Sequence, residues 1–244
     1  MKPTERFSSR VADYVRYRPS YPEAAIELLR AAAGSPTVAD IGAGPGNLTR
    51  LLAPWAPNVW AVEPNEAMRE AGVELLREFP NVQFLDGSAE ATGLPDNSVD
   101  LITCGQSFHW FDLEPTIRKF RRILRHGGSI ALIWNIRRSD TPFMSELGEV
   151  LAQASGESGV KDDEGDRIAR LFEGADYREH HFPYAQSHGR EDFIGRIRSS
   201  SYAPLHDSSF FQRLNDLFDR HSAHEVVDIL YTTNVHLGIQ ITKN

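Results

Sequence analysis

The chain has 244 residues, 41% of them apolar and 25% charged, with a formal charge of −8 at neutral pH. These values fit a globular chain with a sizeable core, and the acidic surplus argues against a nucleic-acid grip. The single cysteine, Cys104, excludes an internal disulfide; the longest unbroken apolar run, Ile130–Trp134, is far too short for a membrane span. The N-terminus carries two acids by residue 13, so no secretory leader is expected.

Residues 5–16 read as a helix, and Pro22 opens a second that runs to Ala33. Between them lies Tyr17-Arg18-Pro19-Ser20-Tyr21. Strands are expected near 37–41, 58–62, 82–86, 99–104 and 129–135, with helices near 47–54, 65–78 and 112–125 in the gaps. The basic residues of Arg118–Arg125 read as the solvated face of the last of these helices, which His126-Gly127-Gly128 closes. Crossovers of this length fit right-handed βαβ units. Beyond Trp134 the pattern predicts a helix near 141–154 and a polar, glycine-rich loop over 155–165, a candidate lid. A strand near 177–187, helices near 190–200 and 208–222, and a long alternating strand over 226–239 follow.

Chemistry first shows in Val38-Ala39-Asp40-Ile41-Gly42-Ala43-Gly44-Pro45-Gly46-Asn47. A strand runs into a glycine loop where backbone can approach a ligand closely. A dinucleotide fingerprint needs its third glycine at position 47, which is Asn. Asp40, two residues before the first glycine, would repel a pyrophosphate but suits a cofactor carrying an ammonium. Glu63 closes the second strand, 17 residues past Gly46, where a carboxylate can accept from both ribose hydroxyls. In the turn Gly87-Ser88-Ala89-Glu90 the Ala89 N–H, Ser88 and Glu90 could read an adenine edge. The fourth strand ends in Gly105-Gln106-Ser107-Phe108-His109-Trp110-Phe111, a loop dense with aromatics.

Together these segments resemble the class I S-adenosylmethionine-dependent methyltransferases over at least Val38–Trp134. Leu94-Pro95-Asp96-Asn97-Ser98-Val99-Asp100, the Gln106–Phe111 loop and Arg18-Pro19-Ser20-Tyr21-Pro22 resemble a small-molecule branch that includes trans-aconitate methyltransferase-like enzymes. Many relatives carry Asp where this chain has Ser88. The resemblance implies an α/β, Rossmann-like, doubly wound sheet of seven strands, mostly parallel. Its antiparallel last strand lies between the fifth and sixth, with helices on both faces. One domain over 1–244 is expected: a helical cap over 1–34, a cofactor core over 35–135, and substrate-side helices with the last two strands over 136–244. The expected cofactor set is Arg18, Asp40, Gly42, Ala43, Gly44, Glu63, Pro64, Ser88, Ala89, Glu90 and Gln106, with Arg18 on the methionyl carboxylate.

On the acceptor side, His109 is chemically suited to be a general base, or its ring shapes the pocket. Tyr14, Tyr21, Trp110 and Arg137 are the expected substrate residues, with Arg138, Arg196 and Arg198 further arginines that could clamp an acid. No metal is expected. His180 and His181 are adjacent on a strand and point to opposite faces, and His221-x-x-His224-Glu225 lacks the zincin order. The reading is methyl transfer to a small, possibly acidic acceptor through a carboxylate or hydroxyl, in the cytoplasm, without a nucleic-acid or membrane partner. Three alternatives stand beside it: a methyltransferase for macromolecules, a nicotinamide dehydrogenase, and a non-catalytic cofactor-binding module.

Overall fold

The computed structural model describes residues 11–34, 36–155, 164–200 and 202–239. Most of the expected lid, and the start of the first expected helix, lie outside these residues. Helices α1 (Val11–Tyr17) and α2 (Glu23–Ala33) precede the alternating part. That part comprises β1 (Thr37–Ile41), α3 (Thr49–Leu52), β2 (Asn58–Val62), α4 (Glu66–Leu75), β3 (Val82–Leu85), β4 (Val99–Gly105), α5 (Leu113–Ile123) and β5 (Leu124–Arg137). The remainder is α6 (Pro142–Ser155), α7 (Glu164–Leu171), β6 (Asp176–His188), α8 (Arg190–Arg198), α9 (Ser208–His221) and β7 (Val227–Ile239).

The seven strands form one sheet in the order β3-β2-β1-β4-β5-β7-β6. β1 pairs in parallel with β2 and β4, and β5 in parallel with β4, while β7 runs antiparallel to both β5 and β6. The last strand therefore sits where the resemblance implied. Strand order reverses between β1 and β4, so the crevice beyond their C-terminal ends is the natural ligand site of such a sheet.

Alternation along the buried strands builds a core on each face. Ala39, Ile41, Ile102, Cys104 and Leu132 face α5, which contributes Ile117, Phe120 and Ile123. Val38, Leu101, Ala131 and Ile133 face Ala25, Ile26 and Leu29 of α2. A third cluster joins α6, α8 and α9 to Val227, Ile229 and Tyr231 at the start of β7.

Two expectations shift. Helix α5 stops at Ile123, earlier than expected, because Leu124 is already extended, buried, and opposite Val99. Residues 125–128 form an irregularity before Ser129 pairs with Leu101, and Gly127, at φ 73°, turns the strand instead of capping the helix. Arg122 is tied to Asp96 on the loop before β4 and Arg125 to Asp100 at the start of β4, so the basic run is only partly free in solvent. Helix α7 was unforeseen: acids and a glycine dominate its sequence, although Ile168 and Leu171 lie on one buried face.

The N-terminal cap is held to the C-terminal half by ion pairs and one close approach. Arg198 donates bidentately to the Asp13 carboxylate at 2.7 and 2.8 Å, and Arg16 pairs with Glu191. A Cβ on Gly195 would lie 2.5 Å from the Tyr17 ring, so α8 admits α1 only because residue 195 is glycine. Gly195→Ala should therefore cost about 1–3 kcal/mol in urea denaturation. Gly148→Ala, in α6 with nothing within 4 Å of the added carbon, should be neutral or stabilise by up to about 1 kcal/mol.

Candidate active site

The C-terminal ends of β1 to β4 open into a cavity of about 380 Å³. Gly42, Gly44, Glu63 and Pro64 form its floor. The Ser88–Glu90 turn closes one end, Gln106 and the aromatic loop another, and Tyr14 and Arg18 lie over it from the cap. A side recess of about 20 Å³, room for one water-sized group, is lined by Arg18, Tyr21, Asp40, Ala43, Asn47 and Gln106, among others.

Backbone geometry explains the glycines. Gly42 and Gly44 have φ of 68° and 57°, conformations that disfavour any side chain. A Cβ at Gly42 would also lie 2.6 Å from that of Ser107, whose hydroxyl donates to the Ile41 carbonyl at 2.7 Å. The Gly42 and Ala43 N–H groups donate to the Val62 carbonyl, which ties the loop to β2.

Asp40 is 1% exposed, and its two oxygens accept from Thr49 and Thr103 hydroxyls at 2.7 and 2.9 Å. Burial pushes its carboxyl up to about 6 despite those hydrogen bonds. It thus pins α3 and β4 to β1 and faces the recess, not the main cavity. Glu63 accepts from the Gly44 and Asn65 N–H groups at 2.9 and 2.8 Å. Burial raises its carboxyl above the usual range, against those two donors. Each oxygen retains capacity for a ligand hydroxyl.

At the far end, Glu90 accepts from the Asp112 N–H at 2.7 Å and from the Ser88 hydroxyl. Partial burial opposes its ionisation, but the hydrogen bonds prevail and hold it below the usual range. Ala89 is buried against the cavity between them.

His109 and Trp110 stand exposed at the rim in a short 3₁₀ turn (Phe108–Trp110), their rings 4.8 Å apart. Arg167 of α7 supports this turn by donating to the Phe111 carbonyl at 2.7 Å. Tyr21 is buried behind Gly105 and borders the recess, on the glycine loop's side, not the main cavity. Arg137 lines neither cavity nor recess: its Nη1 donates at 2.7 Å to Tyr202, which does line the cavity. Arg138 and Arg198 are engaged outside by Asp140 and Asp13. Asn65, Met68 and Tyr202 join the wall unpredicted. Asn65 carried a readable sign as the side-chain cap of α4, accepting from the Met68 N–H, whereas nothing local marks Tyr202.

Residues 39–132 match the family of methyltransferase domains. This segment is a methyltransferase domain. The domain holds the glycine loop, Glu63, the Ser88–Glu90 turn and the aromatic loop. The chain is 38% identical over 154 residues to an uncharacterized methyltransferase of Schizosaccharomyces pombe, a match covering 62% of this chain and 60% of that protein. It is 40% identical over 147 residues to an uncharacterized methyltransferase of Mycobacterium tuberculosis, covering 60% and 59%. The matches thus span about three fifths of these relatives. In fold, the chain is similar to the YcgJ protein of Bacillus subtilis, with a TM-score of 0.61 at 17% identity over 91% of this chain and all of that one.

The residues fit S-adenosylmethionine, the cofactor that the sequence resemblance implies. Among the described residues Arg18 Nε is a buried donor without a partner and Asn47 Oδ1 a buried acceptor without one, and both residues border the recess. A carboxylate and an ammonium on one ligand would satisfy the pair. Among the described residues no helix is long and apolar enough to cross a membrane. No group of three or more His, Cys, Asp or Glu among them is placed to hold a metal ion.

The Asp40 carboxyl predicts a pH signature. Its folded value, about 6, exceeds the ordinary 3.8, so the folded chain holds this proton where the unfolded chain has released it. Asp40 therefore removes stability as pH rises through that window. Asp40→Asn should stabilise the ligand-free protein at neutral pH and remove that slope, as read from urea midpoints across the window.

Proposed function

We propose that this chain transfers a methyl group from S-adenosylmethionine to a small-molecule acceptor, through a carboxylate or hydroxyl oxygen. The observation that carries this reading is the orphaned pair at the recess, Arg18 Nε and Asn47 Oδ1. The amino-acid end of the cofactor offers a carboxylate for the first and an ammonium for the second. A dinucleotide offers no ammonium, and its pyrophosphate would meet the carboxylates of Asp40 and Glu63.

In this reading Glu63 receives the ribose hydroxyls, and the Ser88–Glu90 turn encloses the adenine. The bound cofactor supplies a methyl made electrophilic by a sulfonium. Gln106, held at φ 59° after β4, and the wall of Tyr14, Trp110, Phe111 and Tyr202 shape the space for the acceptor. Their work is alignment and exclusion of water. A carboxylate acceptor needs no general base, which leaves the exposed His109 as part of the rim.

The proposed organisation is one unit, in which the cap over 1–34 and the segment over 136–244 enclose the core over 35–135. The three cores and the ion pairs between α1 and α8 support it. The cytoplasm is the proposed setting, in keeping with a buried, unpaired Cys104. The acidic charge supports a small, possibly acidic acceptor over nucleic acid, and no membrane partner is proposed.

Calorimetry tests the cofactor. S-adenosylhomocysteine should bind and NAD should not; the reverse would sink the proposal. Glu63→Ala should weaken S-adenosylhomocysteine about ten- to hundredfold, the value of one charge-assisted hydrogen bond or more. With any carboxylate acceptor found by labelled-methyl screening, His109→Ala should keep kcat, whereas loss of a general base would lower it about 10²–10⁴-fold.

A further inference from the structure

Three arginines turn inward near the cap and the acceptor wall, and each has a sequence neighbour that turns outward. The outward members find acids: Arg16 pairs with Glu191 and Asp192, Arg138 with Asp140, and Arg198 with Asp13. The inward members, Arg18, Arg137 and Arg196, have no carboxylate partner among the described residues. Arg18 Nη2 donates to the Ser199 carbonyl at 3.2 Å. Arg196, 4% exposed, donates to Tyr231 Oη and Ser200 Oγ, both at 3.1 Å. Arg137 donates to Tyr202 Oη at 2.7 Å.

A buried guanidinium served only by neutral groups is costly unless a counter-charge arrives. The proposed cofactor does not bring enough. It carries one carboxylate against an ammonium and a sulfonium, and that carboxylate is taken by Arg18. Buried Arg196 is left without a counter-charge, and half-buried Arg137 with a neutral partner, among the described residues.

Both converge on one oxygen. Arg137 donates to Tyr202 directly; Arg196 donates to Ser200, whose hydroxyl is hydrogen-bonded to Tyr202 in turn. With Oη receiving these donors, the phenol proton is left to point elsewhere, and Tyr202 lines the cavity. Burial alone would raise the phenol, but Arg137 and Arg196 prevail and hold it below its usual value, which makes it a stronger donor.

We propose that Tyr202, backed by Arg137 directly and by Arg196 through Ser200, is the docking group for a carboxylate of the methyl acceptor. The identity of the ligand as acceptor rests on the methyl-transfer reading. Neither guanidinium lines the cavity, so the site lacks the bidentate arginine fork that suits a phosphate dianion. One polarised O–H in a positive field suits a carboxylate. Tyr202 is thereby a binding residue, and Arg137 and Arg196 act through it.

Protein saturated with S-adenosylhomocysteine would be titrated with succinate, citrate, glycerol phosphate and the neutral succinamide by calorimetry. At least one carboxylate should bind about tenfold or more tightly than succinamide, and more tightly than glycerol phosphate. Tyr202→Phe and Arg137→Gln should each weaken that carboxylate about fivefold or more, with S-adenosylhomocysteine affinity and thermal midpoint unchanged. Carboxylate affinity in the wild type should fall as pH rises and the phenol ionises, and Tyr202→Phe should lose that dependence. Equal binding of acid and amide, tighter binding of the phosphate, no carboxylate binding, or a Tyr202→Phe protein that keeps full affinity overturns the subsite. If Arg137→Gln fails to fold, Tyr202→Phe and its pH profile decide. A wild type that ignores S-adenosylhomocysteine overturns the methyl-transfer reading instead; succinate titration of the unloaded protein still tests the subsite.

Discussion

A carboxylate sealed inside the sheet holds the candidate site in shape. Asp40 is next to last in β1, at the point where strand order reverses, and its two oxygens hold a threonine from α3 and another from β4. The glycine loop runs between these anchors, and β2 fixes it from the other side through the Val62 carbonyl. Desolvating Asp40 costs folding free energy, visible in its raised carboxyl, and two hydroxyl donors offset only part of it. What the fold gains is a loop that cannot relax, with a negative charge behind the recess. A preformed cradle spares a ligand the entropy of ordering the loop.

The wall proposed for the acceptor is built on the opposite sign. Arg137 and Arg196 gather behind Tyr202, and Arg18 lies nearer the recess; none has a carboxylate partner among the described residues, while the arginines beside them in sequence are neutralised at the surface. The cavity thus lies between buried carboxylates at the glycine loop and guanidiniums at the cap and acceptor wall. Such a gradient orients a ligand carrying both charges before any close contact forms. The cap takes part in both functions: the ion pairs that seat α1 on α8 also bring Tyr14 and Arg18 over the cavity.

The glycine loop, Glu63 and the Ser88–Glu90 turn were legible in the sequence because each is local. A strand, a turn and the residue after it lie within a few positions, and parallel topology alone brings such turns to one edge. The strands from β1 to β4 were legible for the same reason, being short, mostly apolar runs between turn signals. The position of β7 beside β5 followed only from family resemblance. Local pattern misled at α5, where tertiary pairing of Leu124 with Val99 overrode the helical periodicity, and it missed α7, whose apolar face is two residues wide.

Sequence by itself thus determined much of the lining of the cavity: a glycine loop, an acid after the second strand, and a polar turn after the third. Only the tertiary structure decided what each charged group does. It withdrew Asp40 behind the loop, set Tyr21 behind Gly105, and moved Arg137 from the cavity to the back of Tyr202. The physical reason is range. Arg18, Arg137 and the pair Arg196 and Tyr202 come from three regions spread across the chain, and whether an arginine meets a carboxylate or a phenol depends on how those regions pack. No spacing along the chain records that choice.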